Sequence, residues 1–193
     1  VVGAREAKIY LERRALVANG QIGSRSGAEE SLWLTLDLSS LSDHYGPALD
    51  EVVRILVARD VPAELRYSVR DIVLEYLLNW TLHSAPPPTV ANLELGMNDA
   101  HIYIRLCGEA QHPHVRRMQR TLSELSDKSS DQLWEEHAAR FRNFGDKPSD
   151  AAGAGLGLLL VAALSSKPPD LTMAPGEPRS WYELSARVFI GKC

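Results

Sequence analysis

One long helix constrains this 193-residue chain more than any other feature. It is predicted over Ala63 to Ser84, between Pro62 and the run Pro86-Pro87-Pro88. Proline has no backbone N–H and its ring blocks the preceding turn, so such residues bound a helix. Leu65, Val69, Ile72, Tyr76 and Trp80 trace one face, and Leu74, Leu78 and Leu82 form a second apolar row. A helix that is apolar on more than one side is packed on more than one side. The rest of the chain must supply those surfaces. Glu75, Asn79 and His83 form a narrow polar stripe bordered by Ile72 and Leu82. Side chains four apart stack on one helix face, and this stripe is not bathed in bulk water.

The remaining pattern alternates strands with helices. Leu32 to Leu38 places leucine at every second position, the period of a strand. Pro47 to Arg59 has proline in the first turn and Leu49, Val52, Val53 and Leu56 at helical spacing. Val90 to Leu95 and His101 to Leu106 read as strands joined by Gly96 to Ala100. A polar stretch from Gln111 to Asp150 holds helical periodicity at Val115 to Leu125 and Ser130 to Phe144. Gly145 to Gly155 reads as a loop, Leu156 to Leu164 as an apolar helix, and Leu171 to Ala174 and Trp181 to Phe189 as closing strands. Residues 1–31 form an N-terminal segment of undecided structure, apart from a domain over 32–190.

The second motif is Gly153-Ala154-Gly155-Leu156-Gly157-Leu158. A glycine-rich loop feeding a helix N-terminus offers unpaired backbone N–H groups to an anion such as phosphate. No Gly-Lys-Ser/Thr follows, so it is not a Walker loop, and the spacing is not that of a dinucleotide fingerprint. Each motif has a plainer reading. Glu75 and Asn79 can be the solvated edge of a core helix, His83 can satisfy a helix-end carbonyl, and the glycines can serve a turn and close helix packing. The functional reading gives each a task. A carboxylate accepts a proton, and an amide oxygen is a hard ligand suited to magnesium. Together the two motifs suggest a magnesium-nucleotide site.

Composition excludes several classes. The net charge is −4, which argues against non-specific nucleic-acid binding. The two cysteines, Cys107 and Cys193, make no disulfide framework and belong to no cluster of zinc spacing. A reducing, cytoplasmic setting is expected. The longest apolar run, Ala151 to Leu164, is too short to span a membrane, and no secretory signal is read.

The order of E-x3-N-x3-H helix, hairpin, polar insert, G-x-G-x-G helix and final strands resembles the Bergerat-fold, or GHKL, ATPases and kinases. Within that superfamily it is similar to the serine kinases that act on anti-sigma-factor antagonists, and most of all to the SiaB family of protein kinases. The resemblance covers about Leu32 to Val188. It implies an α+β two-layer sandwich, with a mixed sheet carrying helices on one face and a lid over about 111–152. ATP and Mg²⁺ are the implied cofactors. Asn79 resembles the magnesium-binding asparagine and Glu75 the general base. The stretch Gly153 to Leu158, with His83 near it, resembles the box that touches nucleotide phosphates. Ser180 stands where the superfamily often has a threonine near adenine. The usual Asp-x-Gly box after the hairpin is replaced by Arg105-Leu106-Cys107-Gly108-Glu109-Ala110, which leaves Glu109, or backbone groups, to read the base.

The resemblance therefore implies an ATP-dependent serine/threonine kinase of a bacterial partner-switching system. Its substrate would be a small phosphoprotein similar to SiaC or to an anti-sigma-factor antagonist, with a second copy of the chain as a further candidate partner. The alternative is a non-catalytic module that sequesters its partner. A third reading is the ATPase half of a histidine kinase. The lack of a phosphoacceptor helix before Leu32 counts against it.

Overall fold

A computed structural model describes residues 31–38, 45–83, 91–98, 100–142, 155–174 and 179–190. The expectations for residues 1–30, the triple proline, Gly153 and Ala154, and the side chain of His83 lie outside the described residues.

Strand β1 (Ser31–Asp37) is followed by α1 (Gly46–Ala58) and α2 (Ala63–His83). The hairpin β2 (Ala91–Asn98) and β3 (His101–Gln111) leads to α3 (His112–Leu125), α4 (Ser130–Arg142) and α5 (Leu156–Leu164). Strands β4 (Asp170–Ala174) and β5 (Arg179–Phe189) complete the order. The sheet runs β1-β2-β3-β5-β4. Every ladder among these strands is antiparallel, so the α+β two-layer arrangement holds while the pairing is antiparallel throughout rather than mixed.

Register sorts the two faces of the sheet. Leu93 opposes Leu106, Leu95 opposes Ile104, and Leu106 in turn opposes Leu184. These residues share one buried cluster with Val69, Ile72, Tyr76 and Leu77 of α2 and with Val52 and Leu56 of α1. That cluster is the main core, and it lies between helices and sheet. The alternate residues face the other way. There Arg105 lies beside Glu94 (3.6 Å) and Glu183 (3.9 Å), with its guanidinium 4.3 Å from the centroid of the Tyr103 ring. Glu94 is 3% exposed and Arg105 9%. A buried charge this close to two opposite charges avoids most of its desolvation cost.

The α1–α2 corner orients the long helix. Asp60 takes a left-handed φ of 53° after the last turn of α1. Its N–H bonds to the carbonyl of Val57 and that of Val61 to the carbonyl of Leu56, closing a Schellman motif in which buried Val61 packs beside buried Leu56. Aspartate tolerates this conformation better than most residues. Pro62 then accepts the N–H of Arg66 at its carbonyl and starts α2.

Helices α3 and α4 fill the segment expected as a lid. Val115, Met118 and Leu122 of α3 join the main core. Leu125, Leu133 of α4, and Leu159, Ala162 and Ala163 of α5 form a second small cluster. The described part of the lid is therefore anchored on α5. No helix among the described residues is long and apolar enough to cross a membrane.

Candidate functional site

The two motifs, some eighty positions apart in the chain, meet in space. A Cβ built on Gly157, in the first turn of α5, would lie 2.2 Å from Oε2 of Glu75, 3.1 Å from its Cδ and 3.4 Å from Nδ2 of Asn79. Only a residue without a side chain lets the start of α5 approach the α2 stripe this closely. Gly155, the residue preceding α5, has a φ of 98°, in the region that glycine enters at little cost. Its missing side chain leaves room beside Thr121 of α3 and Arg140 Nη1 of α4, which a Cβ would meet at 3.4 and 3.7 Å. Among the described residues no side chain caps α5, so its leading amides have no side-chain acceptor of that kind there.

Asn79 is oriented by its own helix. Its Nδ2 donates to the carbonyl of Glu75 at 2.8 Å, which fixes the amide plane and leaves Oδ1 as the acceptor directed elsewhere. The Glu75 carboxylate has no hydrogen bond or ion pair among the described residues. Burial first, and the charge of Asp71 one turn earlier, push its pKa above the ordinary carboxylate range. A carboxylate held this way is a better proton acceptor than a free one.

No group of three or more His, Cys, Asp or Glu among the described residues is placed to hold a metal ion. The donor set does fit magnesium that arrives with a nucleotide, because that ion keeps its waters and phosphate oxygens and needs only one or two protein oxygens. Asn79 Oδ1 meets that requirement.

The sheet register places two other expected site residues. Ser180 is fully buried on the helix-bearing face of the sheet, opposite Ala110. His112 Nδ1 lies 2.7 Å from its Oγ. Arg116 Nε donates to His112 Nε2 at 3.4 Å, which leaves Nδ1 as the proton-bearing nitrogen facing Ser180. The sequence motifs do not single out His112. Its signal was position: it directly follows the strand and precedes Pro113, in the first turn of α3. Glu109 opposes Trp181, and strand alternation places it on the face away from α2 and α5. The sequence reading had ended the strand at Leu106, whereas β3 continues to Gln111 between β2 and β5.

Two further polar atoms went unnoticed in the sequence. Tyr76 Oη and Trp80 Nε1, each one residue after a stripe member, are buried without a hydrogen-bond partner among the described residues. Burial drives the Tyr76 pKa well above the ordinary phenol value, and nearby Tyr182 and Asp170 add to it.

No protein-family model and no curated protein sequence matches the chain. Among solved structures, the chain is similar to a chain in the crystal structure of the SiaB-SiaC complex from Pseudomonas aeruginosa. The TM-score is 0.66 at 16% sequence identity, over 92% of this chain and 97% of that one. At that identity the likeness concerns architecture, and over nearly their full lengths the two chains share a fold.

Proposed function

We propose that the protein is an ATP- and magnesium-dependent serine/threonine kinase of a bacterial partner-switching system, acting in the cytoplasm on a small regulatory protein similar to SiaC or to an anti-sigma-factor antagonist. The observation that carries this reading is the meeting of Glu75, Asn79 and Gly157. It brings a carboxylate, a side-chain amide and a helix N-terminus within one side chain's length of each other. The shared fold with a chain of a SiaB-SiaC complex supports the choice of partner class.

Magnesium-bound ATP, when present, supplies the phosphoryl group. The chain's own parts divide the remaining work. The amides from Gly155 to Leu158 face phosphate oxygens. Asn79 holds the metal through Oδ1. Glu75 takes the proton of the attacking hydroxyl, a task suited to its raised pKa. Arg140, beside Gly155, adds positive charge at the same end of α5.

One observation favours a second reading. With Glu109 on the far face, no carboxylate stands in the Asp-x-Gly position to select adenine. A non-catalytic module that sequesters its partner would tolerate that loss. Thermal denaturation with millimolar MgATP separates the two readings. A ligand at a hundredfold excess over its Kd stabilises the folded state by about 2.7 kcal/mol. The kinase reading expects such a shift, its reduction by about tenfold or more in affinity in Asn79→Ala, and near-parent affinity in Glu75→Gln with phosphoryl transfer slowed by about 100-fold or more. Absence of any shift in the parent protein would leave the sequestering module as the reading.

A further inference from the structure

On the other side of α2 lies a second feature that the nucleotide reading does not use. Arg66 and Glu75 differ by nine positions, as do Arg70 and Asn79, which at about 100° per residue is half a turn out of phase. There Val53 of α1 and Ala63, Arg66, Tyr67 and Arg70 of α2 line a surface cleft of about 200 Å³. The Arg66 guanidinium makes no hydrogen bond or ion pair among the described residues. The Arg70 guanidinium pairs among the described residues with Asp71 beside it, at 3.3 Å and half exposed. The Tyr67 ring is 67% exposed, and Val57, one turn along α1 from Val53, is 48% exposed. Two guanidinium groups thus share an opening with an apolar floor and an aromatic rim, on a chain whose net charge is −4.

The volume bears on what enters. Small-molecule sites run from about 300 to 1,000 Å³, so this cleft is small for a nucleotide and suits one or two side chains. The apolar surface continues past the cleft to Val57, which a free anion would not use. Arginine and tyrosine are also the residues that concentrate binding energy at protein interfaces. Arg66 presents a planar fork matched to a carboxylate.

We propose that this cleft docks an acidic segment of a partner protein, with a carboxylate seated between Arg66 and Arg70 and a neighbouring apolar side chain on Val53, Ala63 and the Tyr67 ring. The inference does not rest on phosphoryl transfer. It assigns a recognition surface remote from the Glu75 stripe.

The test titrates the full ¹⁵N-labelled chain with an acetylated, amidated Leu-Glu-Leu-Asp-Leu peptide, its Gln/Asn counterpart, and inorganic phosphate. The acidic peptide is expected to shift the Tyr67 and Val53 amides and the Arg66 and Arg70 side-chain N–H signals, with Kd rising as salt is added. The Arg66→Ala/Arg70→Ala variant should raise Kd at least tenfold while leaving the melting temperature and the response to MgATP unchanged. Arg66→Gln, at a side chain with no partner to lose, serves as the second variant and should raise Kd at least threefold. Equal binding of the two peptides, shifts confined to other surfaces, no shift at millimolar peptide, or unchanged affinity in the variants would overturn the proposal. Phosphate that shifts the same signals as strongly as the peptide would overturn it in favour of a small-anion site.

Discussion

Glu75 on α2 and Glu136 on α4 each stand one helical turn before a polar residue, Asn79 and Arg140 respectively. Their surroundings are opposite. Glu136 accepts from both Lys128 and Arg140, and those contacts, the Lys128 hydrogen bond first, hold its pKa below the ordinary value. Glu75 has no cation paired with it among the described residues; burial and Asp71 raise its pKa. The Glu136 charge is supported where it stands. The Glu75 charge is tolerated at a cost, which selection for stability alone would remove by an apolar or amide replacement. Strained or unsupported groups of this kind concentrate at functional sites, and α5 brings its glycine to the unsupported one.

The largest expected effect lies at the contact between these motifs. Alanine at position 157 would ordinarily stabilise a helix by about 1 kcal/mol relative to glycine. Here its Cβ would fall 2.2 Å from Glu75 Oε2, so the carboxylate must move. Because that atom ends a flexible side chain, the displacement is cheap in stability and expensive in function. Gly157→Ala should therefore lower phosphoryl transfer by about 100-fold, the scale of losing a general base, with a melting temperature within a few degrees of the parent. In the Glu75→Ala background the same change should stabilise, since nothing remains to displace. Parent-like turnover in Gly157→Ala would mean that the Glu75 position does not matter, and the contrast with Glu136 would lose its functional meaning.

Titration probes the same contrast on a smaller scale. The folded-state pKa of Glu75 is raised above its unfolded value. Its contribution to stability is then complete below the ordinary carboxylate pKa and is lost as pH rises through the raised one. Glu75→Gln cannot ionise. It should melt above the parent at neutral pH, and the gap should shrink as the solution is acidified. The side chain is half-buried and solvent screens it, so the gap should stay below about 4 °C, the shift produced by 1 kcal/mol in a domain of this size. A gap that does not change with pH would show that desolvation is not what sets Glu75 apart.

What was legible beforehand follows from the kind of information involved. Helix α2 and its stripe were readable because proline limits and a four-residue period are local. The identity of the two motifs was readable for the same reason. Their contact was not: nothing in the neighbourhood of Gly157 says that Glu75 is what its missing side chain admits. Glu109 shows how a boundary error propagates. Extending β3 from Leu106 to Gln111 adds only five residues, but in a strand each step reverses the face. The expected strand stops at Leu106, yet pairing along β5 from Glu183 to Arg179 carries Cys107 to Gln111 on in the sheet. The Glu94–Arg105–Glu183 group, with Glu94 and Arg105 buried and Glu183 partly exposed, escaped notice likewise, because its members come from three strands whose neighbourhood only the register creates.

The smallest expected effect belongs to Glu136, and its sign is reversed. Its folded-state pKa is lowered, chiefly by the Lys128 hydrogen bond. The stability it contributes is present above the ordinary carboxylate pKa and is lost as pH falls through the lowered one. Glu136→Gln should thus melt slightly below the parent at neutral pH, and the two should converge in acid. Lys128 and Arg140 are both partly exposed, so solvent and salt weaken each pair, and exposed pairs are worth about 0 to 1 kcal/mol. The deficit should shrink further at high salt, whereas the Glu75→Gln gain, which arises from desolvation rather than from a partner, should persist there. Melting curves of both variants at two pH values and two salt concentrations decide it. A Glu136→Gln deficit as salt-resistant as the Glu75→Gln gain would mean that both carboxylates are governed by burial, and the distinction between a supported and an unsupported charge would fail.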